Sequence, residues 1–136
     1  MRRLVPLLFS LSLACAYVLP ASWRAFRIEA DDAPPAITRA IDARQLEVGH
    51  WDQAKDEIST DWVNFNDGMG QSRSRFVIRW ERNEDDNTLT VYVRHEAQDR
   101  DAAVGGDWSG VYHEASEELA LLDLITQEIE AQAAPP

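Results

Sequence analysis

The alternation of apolar and polar residues is sharpest in the middle of the chain. Between Arg73 and Glu81, Phe76, Ile78 and Trp80 point one way while Arg75, Val77 and Arg79 point the other. Leu89 to His95 repeats the pattern, with Leu89, Val91 and Val93 opposed to Thr90, Tyr92 and Arg94. A period of two belongs to strands with one dry and one wet face. Two further strands, Leu46 to Trp51 and Ile58 to Phe65, precede them at hairpin spacing. Polar or glycine-bearing turns at Asp52–Asp56, Asn66–Gly70 and Asn83–Asn87 separate the four.

The period lengthens at both ends of this block. Pro34 and Pro35 open a short helix that carries Ile37, Ala40 and Ile41 on one face through Arg44, with Asp32 placed to cap it. Glu114 to Gln132 predicts a long helix with Leu119, Leu122, Ile125 and Ile129 on one face and Leu121 and Leu124 beside it. Acidic Glu114, Glu117 and Glu118 suit the positive start of that helix. The polar connection from Gln98 to His113, which contains Trp108, is long for a compact domain. The expected fold is α+β: a four-stranded antiparallel meander with a short N-terminal helix and a long C-terminal helix across its apolar face. The domain spans residues 36–132, and 133–136 form a frayed tail.

The N-terminus carries an address. Met1-Arg2-Arg3 precedes an apolar run from Leu4 to Leu13, the layout of a secretory signal. The lone cysteine, Cys15, sits where such a signal is cut. Leu11-Ser12-Leu13-Ala14-Cys15 resembles the lipobox of bacterial lipoproteins, which implies an acyl chain such as palmitate on Cys15 and a membrane anchor there. Two alternatives stay open. Ala14-Cys15-Ala16 also fits ordinary signal cleavage, giving a soluble secreted or periplasmic protein, and the apolar run extends to Leu19 as a retained anchor. Residues 16–35, broken by Pro20, Asp31-Asp32 and Pro34-Pro35, read as a tether. Within them Trp23, Phe26 and Ile28 alternate loosely enough to pack on the domain or add a strand.

At 136 residues, 45% hydrophobic and 27% charged, the chain is one ordinary globular domain. A net charge of −11 disfavours a nucleic-acid partner. One cysteine excludes a disulfide framework and a multi-cysteine zinc site. His50, His95 and His113 lack metal-ligand spacing, the many carboxylates form no calcium loop, and Gly106-Asp107-Trp108-Ser109-Gly110 has the wrong spacing for a nucleophile elbow. These readings predict neither enzyme, metal nor cofactor. The non-core sheet face is more informative. Arg75, Arg79, Tyr92 and Arg94 form a basic and aromatic strip suited to a protein partner, against the plainer reading of a solvated face paired to Glu81 and Glu96. Trp108 either tips a binding loop or fills the helix–sheet seam. The first or fourth strand, as an edge, is also open to a partner strand.

Glu57-Ile58-Ser59-Thr60-Asp61-Trp62-Val63, followed by Ser72-Arg73-Ser74-Arg75-Phe76, resembles the helix-grip domains of bacterial envelope lipoproteins. Such domains occur in the C component of the outer-membrane β-barrel assembly machinery. The resemblance covers about residues 36–130 and one domain, where that component holds two. It implies an outer-membrane lipoprotein facing the periplasm, held by an N-terminal lipid, that acts as a non-catalytic accessory with an envelope protein partner. The competing function is a periplasmic module that binds a small or apolar ligand between helix and sheet.

Overall fold

In a computed structural model of the protein, which describes residues 21–101 and 106–135, an antiparallel sheet is covered on one face by two helices. The chain order is β1 (Ser22–Phe26), α1 (Ala33–Ala43), β2 (Val48–Asp52), β3 (Glu57–Thr60), β4 (Val63–Asn66), β5 (Gly70–Asn83), β6 (Thr88–Asp101) and α2 (Ala115–Ala133). The sheet runs β1-β6-β5-β3-β2, with β4 also paired to β5. The α+β class, the antiparallel sheet and the long closing helix are as expected. The strand count is six, not four.

Both extra strands have a physical origin. Residues 22–26, read as tether, lie along β6 from Ser22 opposite Val93 to Phe26 opposite Leu89. Arg24 fixes this strand to α2: its guanidinium donates to Thr126 Oγ1 at 2.6 Å and lies 3.1 Å from Asp123 Oδ1. β1 therefore covers the fourth predicted strand, so the outer strands of the main path are β1 and β2. The second addition comes from splitting the segment 58–65. β3 pairs Ile58 with Ile78, whereas β4 pairs Val63 with Ser74, so the register slips by one residue at Asp61–Trp62. Phe76 N–H, left without a ladder partner there, donates to the buried Thr60 hydroxyl at 2.9 Å. Asp61 N–H turns away to Glu47 O. Gly49 makes room for that turn: a β-carbon would collide with the Asp61 carboxylate and lie 3.0 Å from its backbone nitrogen.

The core lies between sheet and helices. Ile58, Phe76, Ile78, Trp80, Leu89, Val91 and Val93 meet Ile37, Ile41, Leu121, Leu122, Ile125 and Ile129, all buried. Each large side chain contributes about 1.5–3 kcal/mol by leaving water. The helices run antiparallel, as Arg39–Glu128 and Arg44–Glu117 ion pairs at 2.9 and 2.7 Å require. One expected core residue is misplaced: Leu119 is 49% exposed. The inward position belongs to Glu118, which accepts the Ser22 hydroxyl at 2.9 Å and His95 N–H at 2.8 Å. That amide lies two residues beyond Val93, the partner of Ser22 in β1, and the carboxylate gives it a buried acceptor. Among the described residues no helix is long and apolar enough to cross a membrane. Cys15 and the whole signal-like segment lie outside the described residues.

This assignment separates two neighbouring leucines. Leu122→Ala is expected to cost about 2–5 kcal/mol in urea unfolding, and Leu119→Ala no more than about 0.5 kcal/mol. Equal losses would show that α2 presents a different face.

Candidate functional site: an arginine–tryptophan ladder on the open sheet face

The face of the sheet away from the helices is set by register. Arg73, Arg75, Val77 and Arg79 on β5 lie opposite Gln98, Glu96, Arg94 and Tyr92 on β6. The strip proposed from sequence, Arg75, Arg79, Tyr92 and Arg94, is therefore one contiguous surface. Five of the chain's twelve arginines, including Arg73 and Arg100, stand on it. They face four carboxylates on the same side, Asp52, Glu57, Glu81 and Glu96. Five arginines against four carboxylates make this face less acidic than a chain of net charge −11 as a whole.

The register slip at Asp61–Trp62 gives this face its aromatic partners. Without the extra residue, Trp62 would share the core side with Ile58 and Thr60; with it, Trp62 turns to the open side. Arg75 and Arg73 lie over its ring at 4.6 and 4.3 Å from the centroid. Arg73 also stacks on Trp108 at 4.3 Å, and Arg100 stacks on Trp108 at 4.5 Å. The result is a ladder, Arg75–Trp62–Arg73–Trp108–Arg100. Each such contact contributes about 0.5–1 kcal/mol when exposed and about 2 when desolvated.

Cross-strand partners hold the guanidinium planes. Arg73 Nε and Nη2 both donate to Gln98 Oε1, at 2.9 and 2.7 Å. Arg75 Nε donates to Glu96 Oε1 at 2.8 Å, Arg94 lies 3.2 Å from the other oxygen of the same buried carboxylate, and Arg100 bonds Gln71. The expected pairing of the strip to Glu96 is therefore present, and Arg75 and Arg94 are partly buried by it. Arg79 differs: it is exposed, stacks over Tyr92 at 4.9 Å, and stands near Trp23, which pairs with Tyr92 and is 63% exposed. Trp108 does not fill the helix–sheet seam. Its segment is pinned along β6 by Ser109 N–H to Asp99 O at 2.7 Å and by paired Ala97–Tyr112 bonds at 3.0 Å.

Sequence reading missed Arg73, Trp62 and Arg100. Arg73 continues the alternation of Arg75 and Arg79, and Arg100 continues that of Arg94, but β6 was expected to stop at His95 and runs to Asp101. The slip that turns Trp62 leaves no local signature.

On the helix side, the β5–β6 hairpin extends beyond the helices and leaves a pocket of about 360 Å³. His95 lines it, its ring tilted at 57° against Phe76 with centroids 4.9 Å apart. His113 Nδ1 bonds the His95 carbonyl at 2.7 Å, so that nitrogen carries the proton. His50 sits on the opposite, open face of the sheet, and among the described residues no three metal-binding side chains gather. Burial holds the His95 imidazole below its ordinary range; Glu114, Glu117 and Glu118 oppose that shift, and Arg44 reinforces it. No family model matches the chain, and no curated protein is significantly similar to it.

Arg73→Ala removes one of the two guanidinium contacts on each indole and breaks the ladder at its centre. Hydrogen exchange at Ser109 and Tyr112 amides should quicken and acrylamide quenching of tryptophan should rise; unchanged values would mean that the ladder does not hold the segment. The histidine gives a pH test. Unfolded His95 binds a proton near pH 6.5, and the native ring only at lower pH. Stability is therefore full above that value and lost as pH falls through the native pKa. The urea midpoint should drop between about pH 7.5 and 5.5, and His95→Gln should flatten that drop. An equal slope in the variant would assign the dependence elsewhere.

Proposed function

We propose that the protein is a non-catalytic binding component of a bacterial cell envelope. Lipid on Cys15 tethers it to the periplasmic side of the outer membrane, and the open sheet face engages an envelope protein of the assembly type. The observation that carries this reading is the concentration of stacked arginine and tryptophan on one face of a chain with net charge −11. Arginine and large aromatics supply most of the energy at protein interfaces, and guanidinium planes held in place lose less entropy on binding. The complementary surface on the partner carries carboxylates, with Arg79 and Trp23 as the exposed points of contact. The helix, strand and closing-helix order is compatible with a helix-grip domain, and the likeness of Glu57–Val63 and Ser72–Phe76 to envelope lipoproteins supports the location.

The test places a photo-crosslinking amino acid at Trp23, at Arg79 or, as a helix-side control, at Asp42 in bacteria producing the full chain. Adducts to an outer-membrane assembly protein are expected from positions 23 and 79 and not from 42. Cys15→Ser should release the protein from the membrane fraction and cut adduct yield by about tenfold, because the tether sets local concentration. Equal adducts from position 42, or none from 23 and 79, would overturn the face. Unchanged fractionation of Cys15→Ser would overturn the tether.

A further inference from the structure

The pocket beyond the helix ends lies on the opposite side of the sheet from the ladder, and its reading is independent of the proposed partner. Its apolar wall comes from Val63 and Phe65, which the register slip turns to this side, with Phe76, Ala97 and Tyr112. Phe65 is 58% exposed and Tyr112 40% exposed, so apolar surface stands uncovered at the mouth. The charged groups facing it are Arg44, Glu117 and Glu114. Arg44 is committed: it bonds Glu117 at 2.7 Å and lies over the Phe76 ring at 5.3 Å. The Arg73 side chain is held in the ladder on the other face. Glu114, exposed at the start of α2, makes no side-chain hydrogen bond or ion pair among the described residues. The site therefore carries a surplus negative charge beside aromatic faces. A second feature points the same way: His95 lines the pocket, is 6% exposed, and its Nδ1 has no hydrogen-bond partner in the protein.

We propose that this pocket binds a small amphiphile that joins an aromatic-sized apolar body to a protonated amine. The body packs on Phe65, Phe76 and Tyr112. The ammonium group faces the Glu114 carboxylate and the ring faces of the aromatic wall, and His95 gives the ligand a neutral polar neighbour. A volume of about 360 Å³ is at the small end of ligand sites. Anionic amphiphiles are rejected because Glu114 and Glu117 would face their charge with Arg44 already paired.

The experiment titrates the ¹⁵N-labelled full chain in zwitterionic micelles with phenethylamine, 2-phenylethanol and 3-phenylpropionate, each to about 10 mM. Amide shifts are expected at Phe76, Ala97 and Tyr112, with phenethylamine about two- to fivefold tighter than the alcohol and the carboxylate weakest. Glu114→Gln should bring the amine to the level of the alcohol, and Phe65→Ser should weaken all three. Absence of shifts at those amides, carboxylate binding as tight as the amine, or an amine preference that survives Glu114→Gln would each overturn the proposal.

Discussion

Fourteen consecutive residue pairs hold β5 against β6, and every other element is placed by where it docks along this ribbon. Its Trp80–Val91 half is dry on one side and carries the helices. Its Gly70–Asp101 half projects past them and carries a distinct surface on each side: the ladder on one, the pocket on the other. A shorter hairpin would give the same core and neither surface. The constraint is geometric. Strand pairs rise by about 3.3 Å per residue and helices by about 1.5 Å, so an eleven-residue helix such as α1 spans little more than a third of a fourteen-residue strand.

The second determinant is one residue. The slip at Asp61–Trp62 inverts the faces of everything after it on β4. Trp62 moves among the arginines, while Val63 and Phe65 move to the pocket side. Thr60 and Gly49 accommodate the slip, the first by supplying a hydroxyl to an orphaned amide, the second by letting Asp61 approach β2. Ladder and pocket wall are thus two consequences of the same local irregularity.

Buried charge follows the same logic of unfinished backbone. Glu118 is inside the protein, where one oxygen accepts His95 N–H and the other takes the Ser22 hydroxyl of β1. β1, β6 and α2 meet at this carboxylate. The open face solves its charge problem differently. Glu96 serves Arg75 and Arg94 together, Trp62 lies within cation–π distance of both Arg73 and Arg75, and Trp108 within that distance of Arg73 and Arg100, so each of these charges has a carboxylate or a ring beside it.

Local pattern alone determined the class of fold, the dry face of β5 and β6, both helices, and the strip of Arg75, Arg79, Tyr92 and Arg94, because alternation and helical periodicity are properties of neighbouring residues. The extra strand β1 was legible only as the loose alternation of Trp23, Phe26 and Ile28, since an edge strand with one packed side needs a weaker pattern than a central one. Tertiary structure decided what depends on distant partners. Glu118 took the inward place expected for Leu119 because an amide 23 residues away needed an acceptor. Trp62 joined Arg73 because a slip between strands, which changes no residue, changes which side each residue faces. Arg100 and Trp108 met because β6 continues through polar residues that carry no strand signal of their own and are held by distant partners, β5 on one side and the Ser109–Tyr112 segment on the other.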